Sequence, residues 1–254
     1  MAPHPTSPTL AAATATRKPT LYILSEFHPD SVKHAQSIFD YILYEDPETT
    51  HWRDHATAIL IVDYYITEAD LIAAPQLRVI GKQGVGLDKV DVEACAHRNV
   101  KICNTPGVNA SAVAEMTLAL ALSVAREIPQ ITYRQMAEEE VIRKETVNGM
   151  LLSNKTVGVI GMGHIGEAVA RMFYGAFRSG VIAYDPYFVP AKGKWEGIPH
   201  KRVEELAELL RESDIVTVHV PLTSSTRDLI ARKELETMKR TAILLNSARG
   251  GIVN

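Results

Sequence analysis

The 254-residue sequence predicts an α/β fold built on parallel sheets. Three observations support this. From Thr20 onward, short apolar runs alternate with longer amphipathic stretches, the βαβα pattern. The runs are nearly continuous rather than alternating, as in strands covered on both faces. The composition, 46% hydrophobic and 22% charged, is that of an average globular chain with enough length for two modest domains.

Residues 1–19 are rich in Ala, Thr and Pro, contain no acidic residue and show no period, so they are expected to form a disordered tail. Arg17 and Lys18 are its only basic residues, a weak signal for organellar targeting. Leu21–Leu24, Ala58–Val62, Leu77–Ile80 and Val100–Cys103 read as strands of a first domain, with helix-length segments such as Asp88–Arg98 between them. Ala110–Arg126 reads as a helix that is apolar almost all round, through Val113, Met116, Leu118, Leu120, Leu122 and Val124. Such a helix is expected to be buried on several sides, at a domain junction or subunit interface, with Pro129 closing it. The more polar Ile131–Gly149 marks a crossover. A second strand set follows at Thr156–Ile160, Val181–Asp185, Ile215–His219 and Thr241–Asn246, with helices at Ile165–Phe177 and Arg202–Arg211.

Charge and cysteine usage exclude several classes. The net charge of −3 shows none of the basic excess usual in a nucleic-acid module. Two cysteines, Cys95 and Cys103, are too few for a disulfide framework, so a reduced, cytoplasmic setting is expected. Cys103 reads as a buried small residue, and no cysteine–histidine spacing suggests a metal site. No apolar run approaches the ~20 residues needed to span a bilayer.

The strongest motif is Gly161-Met162-Gly163-His164-Ile165-Gly166. A glycine hexapeptide alone is a weak signal. This one follows an apolar strand and opens an amphipathic helix, and Asp185 ends the next strand nineteen residues after Gly166, as a dinucleotide fingerprint requires. Gly161 allows the tight turn, Gly163 lets the backbone approach a pyrophosphate, and Gly166 lets helix pack on strand. The N–H groups of the helix start, His164 and Ile165 included, supply the diphosphate site. Asp185 is suited to accept both ribose hydroxyls and to repel a 2′-phosphate, which favours NAD over NADP, although Lys192 and Lys194 lie nearby in sequence.

Four blocks resemble the D-isomer-specific 2-hydroxyacid dehydrogenases, a group that includes D-3-phosphoglycerate dehydrogenase. They are Gly81-Lys-Gln-Gly-Val-Gly-Leu-Asp-Lys-Val-Asp91, Asn104-Thr-Pro-Gly-Val-Asn-Ala110, the glycine turn, and Asn246-Ser-Ala-Arg-Gly-Gly251. His219-Val-Pro-Leu-Thr223 is a shorter fifth. The resemblance implies two Rossmann-like domains with an active site in the cleft between them. Residues 20–105 would be the N-terminal part of the substrate domain and residues 106–254 the NAD-binding domain. The helix at 110–126 would build a homodimer. The implied chemistry is reversible hydride transfer between NAD and C2 of a 2-hydroxy or 2-oxo acid.

Backbone N–H groups around Gly84, Val85 and Gly86 are candidates to hold the substrate carboxylate in a nest. Arg249, just past a strand, is the candidate catalytic residue, suited to bind that carboxylate and polarise the C2 oxygen. By resemblance, His219, Pro221 and Ala248 line the nucleotide pocket, with His219 not the proton donor.

The family also uses a histidine as general acid and a glutamate that orients it. The resemblance implies a Glu roughly 30 residues beyond the arginine and a His some 20 further on. This sequence runs only to Asn254, and neither position is matched. Of its nine histidines, His28, after the first strand, is the one candidate to face the cleft. The chain is therefore expected to be truncated at the C-terminus and weak or inactive alone. The alternative is a non-enzymatic NAD-binding sensor or partner-binding protein. Its four nucleotide-domain strands would supply 3-2-1-4 of a 3-2-1-4-5-6 sheet, leaving Thr241–Asn246 at an open edge.

Overall fold

Strand faces follow directly from residue alternation in the computed structural model, which describes residues 18–137 and 141–254. Apart from Lys18 and Pro19, the expected tail lies outside the described residues. The chain divides into two units, Met1–Gln83 with Lys89–Asn104, and Gly84–Asp88 with Thr105–Asn254.

The first unit contains β1 (Thr20–Ile23), α1 (Pro29–Ile38), β2 (Asp40–Ile42), α2 (Trp52–His55), β3 (Ala58–Ile61), α3 (Glu68–Ala73), β4 (Val79–Lys82), α4 (Val92–His97) and β5 (Lys101–Asn104). All neighbours pair in parallel in the order β2-β1-β3-β4-β5. Leu21 and Ile23 pack on one face of the sheet with Ala35 of α1. Tyr22, Ile59, Ile61 and Ile80 join Trp52, Leu71 and Leu77 in a larger cluster on the other. Burial on both faces explains the unbroken apolar runs.

The second unit contains α5 (Ala110–Ala125), α6 (Ile128–Ala137), β6 (Thr156–Ile160), α7 (His164–Phe177), β7 (Gly180–Tyr184), β8 (Lys201–Val203), α8 (Leu206–Glu212), β9 (Ile215–Val218), α9 (Arg232–Thr237) and β10 (Ile243–Asn246). Its sheet is again parallel, in the order β10-β9-β6-β7-β8. Val157, Val159, Val181, Ala183 and Ile215 face a core closed by α5 and α7. Ile160, Ile182, Val216 and Val218 face the opposite core, closed by Leu209 and Leu210 of α8. Helices on both faces of an open parallel sheet make this unit doubly wound.

Several expectations are corrected. The second sheet has five strands rather than four, because Lys201–Val203 is β8. It is a short edge strand with two exposed residues, so it leaves no apolar run to read. The helix expected at Arg202–Arg211 therefore begins only at Leu206. β2 was missed for the same reason. Pro129 does not close a helix: α5 ends at Ala125, and Pro129 sits in the first turn of α6, where a missing N–H costs nothing. Cys103 is exposed rather than buried, since β5 is an edge strand.

The apolar residues of α5 divide between two faces, with Leu118 and Leu122 packed against the core. Ala110, Ala114, Thr117, Ala121 and Ala125 form the buried stripe, letting the helix approach α7 closely. Met116, Leu120 and Val124 instead point outward, 57%, 39% and 51% exposed.

Candidate functional site

The sheet register of the second unit lines up its functional residues. Asn246 pairs with Val218, Val218 with Ile160, and Ile160 with Tyr184, so four strands end level with one another. The residues just past those ends are the Arg249 turn, His219, Gly161 and Asp185. At a strand spacing of ~4.8 Å they spread over roughly 14 Å along the carboxyl edge, where open α/β sheets take ligands.

The glycine turn is held by its neighbours. Gly161 has φ 99°, and its N–H donates to the Tyr184 carbonyl at 2.9 Å. A Cβ on Gly161 would lie 2.6 Å from the His219 carbonyl oxygen, so the turn is pressed against the end of β9. Gly166 is tighter still, since its Cβ would lie 2.0 Å from the Gly161 carbonyl oxygen. Gly163 is the opposite case, with nothing within 4 Å of a Cβ. It is the N-cap of α7, no side chain caps this helix, and the first intrahelical bond runs from the Glu167 N–H to the Gly163 carbonyl. The N–H groups of His164 and Ile165 therefore lie in the first turn with no intrahelical acceptor, at the positive end of the helix dipole. Open space beside uncapped donors fits a diphosphate. The His164 ring lies against Gly107, 3.3 Å from where its Cβ would be.

Asp185 is oriented by backbone. One carboxylate oxygen accepts from the Met162 N–H and the other from the Tyr187 N–H, each at 2.9 Å. Each oxygen retains capacity for another donor, which fits a ribose diol. Lys192 and Lys194 are exposed, and Arg202 reaches the backbone of Asp185. Its Nη2 donates to the carbonyls of Asp185 at 3.1 Å and Phe188 at 3.3 Å. The indole N–H of buried Trp195 donates to the Met162 carbonyl at 3.0 Å, bracing the turn from the far side. Taken together, the turn, the helix start and Asp185 fit a dinucleotide.

His219 bonds Thr217 through Nε2 at 2.8 Å, while its buried Nδ1 has no partner. Burial pushes its pKa down from 6.5 to about 4. The unfolded chain takes up this proton below about 6.5 and the folded chain only near 4, so stability is lost as pH falls through that window. Denaturant titrations near pH 6.5 and pH 5 are expected to differ by about 1–2 kcal/mol from this residue, and His219→Asn should flatten the difference. Pro221 lies in a turn where its carbonyl accepts from the Thr226 hydroxyl at 2.5 Å.

The Arg249 turn is built from its own block. The Asn246 side chain donates to the Arg249 carbonyl at 2.8 Å and accepts from the Ala248 N–H at 3.1 Å. The Arg249 guanidinium donates through Nη1 to the Ala248 carbonyl at 2.8 Å and through Nε to Asp88 at 3.0 Å. Its Nη2 lies 1.9 Å from where a Cβ on Gly86 would be, so only glycine admits the guanidinium there. Arg249 thus meets the Gly84–Gly86 loop. The Gly84 N–H, expected to face a carboxylate, is instead taken by the Thr105 hydroxyl at 2.8 Å. Thr105 returns its own N–H to the Gly84 carbonyl, so Gly84 anchors the loop. Val85 is 40% exposed beside it.

His28 belongs to the first unit. It caps α1, accepting from the Asp30 N–H at 3.3 Å. Asp88, Thr105, Trp195 and Arg202 were missed by sequence reasoning. Asp88 lies inside a matched block, but nothing local pairs an acid with an arginine so far along the chain. Among the described residues no group of three His, Cys, Asp or Glu side chains is placed to hold a metal, and no helix is long and apolar enough to cross a membrane.

Residues 118–254 match the NAD binding domain of the D-isomer specific 2-hydroxyacid dehydrogenases. The chain is 39% identical over 189 residues to the D-3-phosphoglycerate dehydrogenase of Methanocaldococcus jannaschii, covering 74% of this chain and 35% of that protein. It therefore spans about a third of the length of that relative. To the glyoxylate reductase of Aeropyrum pernix it is 32% identical over 251 residues, covering 94% of this chain and 73% of that one. Among solved structures, the D-lactate dehydrogenase of Aquifex aeolicus, complexed with NAD and lactic acid, superposes with a TM-score of 0.78 at 28% identity, covering 92% and 70% of the two chains. The matched NAD binding domain and the glyoxylate reductase similarity show that this chain belongs to the D-isomer specific 2-hydroxyacid dehydrogenase family.

Proposed function

We propose that this chain binds NAD through its second unit and holds a small D-2-hydroxy or 2-oxo acid, phosphoglycerate dehydrogenase-like, against Arg249. The observation that carries this reading is the Arg249 guanidinium packed on Gly86, on the same sheet edge as the glycine turn and Asp185. NAD would supply hydride exchange at C2 of the acid. Arg249 binds the carboxylate, polarises the C2 oxygen and keeps its charge throughout. The Gly86 loop excludes side chains from that carboxylate, and the start of α7 with Asp185 orients the dinucleotide. In this reading residues 20–105 belong to the substrate domain and 106–254 to the NAD-binding domain. We place the protein in a reducing cytoplasmic setting, since Cys95 and Cys103 are both free. Asp185 selects NAD over NADP by repelling a 2′-phosphate. Titration with NADH and NADPH, followed by protein fluorescence, tests the cofactor, and tighter NADPH binding would sink that part. A panel of D-2-hydroxy acids, D-3-phosphoglycerate included, tests the substrate class by NADH formation in a form carrying the family's Glu and His.

No residue of this sequence matches that Glu and His. A polypeptide of these 254 residues alone is therefore expected to turn over about 10²–10⁴-fold more slowly than one carrying them. A second reading on the same fold is an NAD-binding sensor or partner-binding protein without turnover. Turnover by the 254-residue polypeptide, lost in Arg249→Ala, excludes that second reading.

The outward stripe of α5 is the proposed homodimer contact. Met116, Leu120 and Val124, with Ile128 beyond, recur every fourth residue and expose apolar surface that a second copy would cover. Sedimentation velocity is expected to show a dimer that Leu120→Glu converts to a monomer. A monomeric unaltered chain would rule the contact out.

A further inference from the structure

Two of the three Arg249 nitrogens are already committed. Nε donates to Asp88 Oδ1 at 3.0 Å and Nη1 to the Ala248 carbonyl at 2.8 Å. The third, Nη2, is the nitrogen set against Gly86. Asp88 follows Gly86 by two residues, so one loop supplies both the wall behind the guanidinium and the acceptor for its Nε. Both side chains are partly exposed, 43% for Arg249 and 29% for Asp88, so the pair contributes little to stability. What it does fix is orientation. A free Arg side chain samples many rotamers, and its planar fork is useful only when its edges point the right way.

We infer that Asp88 is a positioning residue, which holds the Nε edge of Arg249 so that Nη2 faces the carboxylate of a 2-oxo or 2-hydroxy acid. This rests on the function proposed above. The competing role is that Asp88 fills the substrate carboxylate's place on Arg249. A carboxylate acting as such a stand-in would take two parallel bonds from the guanidinium fork. Asp88 accepts from Nε through Oδ1 at 3.0 Å, and a Cβ on Gly86 would lie 1.9 Å from Nη2. The two roles predict opposite signs: removing a positioning residue weakens carboxylate binding, and removing a stand-in tightens it.

The test uses oxamate, an unreactive analogue of a 2-oxo acid, titrated calorimetrically into the 254-residue chain saturated with NADH. Asp88→Ala is expected to raise the oxamate Kd about tenfold, the scale of one charge-assisted hydrogen bond. Asp88→Asn, which keeps a carbonyl acceptor, should recover part of the loss. NADH affinity and the thermal midpoint should not change, which a merely structural role would not predict. In an Arg249→Lys background, Asp88→Ala should add nothing further. Unchanged or tighter oxamate binding by Asp88→Ala, with NADH binding intact, overturns the inference alone. Failure of the unaltered chain to bind NADH or oxamate overturns the proposed function and this inference with it.

Discussion

Replacing Gly166 with alanine is expected to abolish NAD binding and to destabilise the second unit by about 2–3 kcal/mol. The added Cβ would lie 2.0 Å from the Gly161 carbonyl oxygen and 3.1 Å from Val159 Cγ1. That oxygen is backbone, and Gly161 is held in place: its N–H is bonded to Tyr184, and even a Cβ on it would lie 2.6 Å from the His219 carbonyl oxygen. The helix α7 must therefore shift, taking with it Val169, Ala170 and Phe173, each 0% exposed. Its first-turn N–H groups would then leave the place proposed for the diphosphate. Gly163→Ala is the control. A Cβ there meets nothing within 4 Å, and the residue's φ of −73° suits alanine, so the fold should be untouched. NAD affinity should still fall, because the methyl group enters the space open to the diphosphate. Chemical denaturation and NADH titration of both variants separate packing from ligand binding. A stable Gly166→Ala chain that binds NADH normally would refute the packing argument.

Arg249→Ala is expected to weaken oxamate binding about 10²-fold, since a hydrogen-bonded charge contact to a carboxylate is worth up to about 3 kcal/mol. Gly86→Ala should produce a comparable loss by the opposite route. Its Cβ would lie 1.9 Å from Arg249 Nη2 and 2.6 Å from Asp88 Oδ1, which are ends of side chains that swing aside. The fold and NADH affinity should therefore survive while the guanidinium leaves its place. In the double variant the losses should not add, because both act on one group. Additive losses would show that Gly86 and Arg249 serve different contacts.

Much of the framework was legible in the sequence. Val157, Val159 and Ile160 announce a strand buried on both faces, and Gly161 to Gly166 announces a turn into a helix. These signals are local, because strand burial and helix entry are written in neighbouring residues. The short strands β2 and β8 were illegible because edge strands need no apolar run. The buried face of α5 was illegible for a related reason. An all-apolar helix does not say which residues are buried, and close packing on α7 selected the alanines.

The sequence by itself determined the fold class, the glycine turn, Asp185 as the acid at the next strand end, and Arg249 as a candidate for the carboxylate. Only the tertiary structure decided what each of these touches. It set Arg249 between Gly86 and Asp88, 161 residues away from Asp88 in the chain, and gave the Gly84 N–H to Thr105. It also braced the Met162 carbonyl with Trp195 and brought Arg202 to the backbone of Asp185. The physical reason is range. Propensity and periodicity act over a few residues, whereas these contacts depend on strand order and register, which bring distant segments to one edge of a sheet.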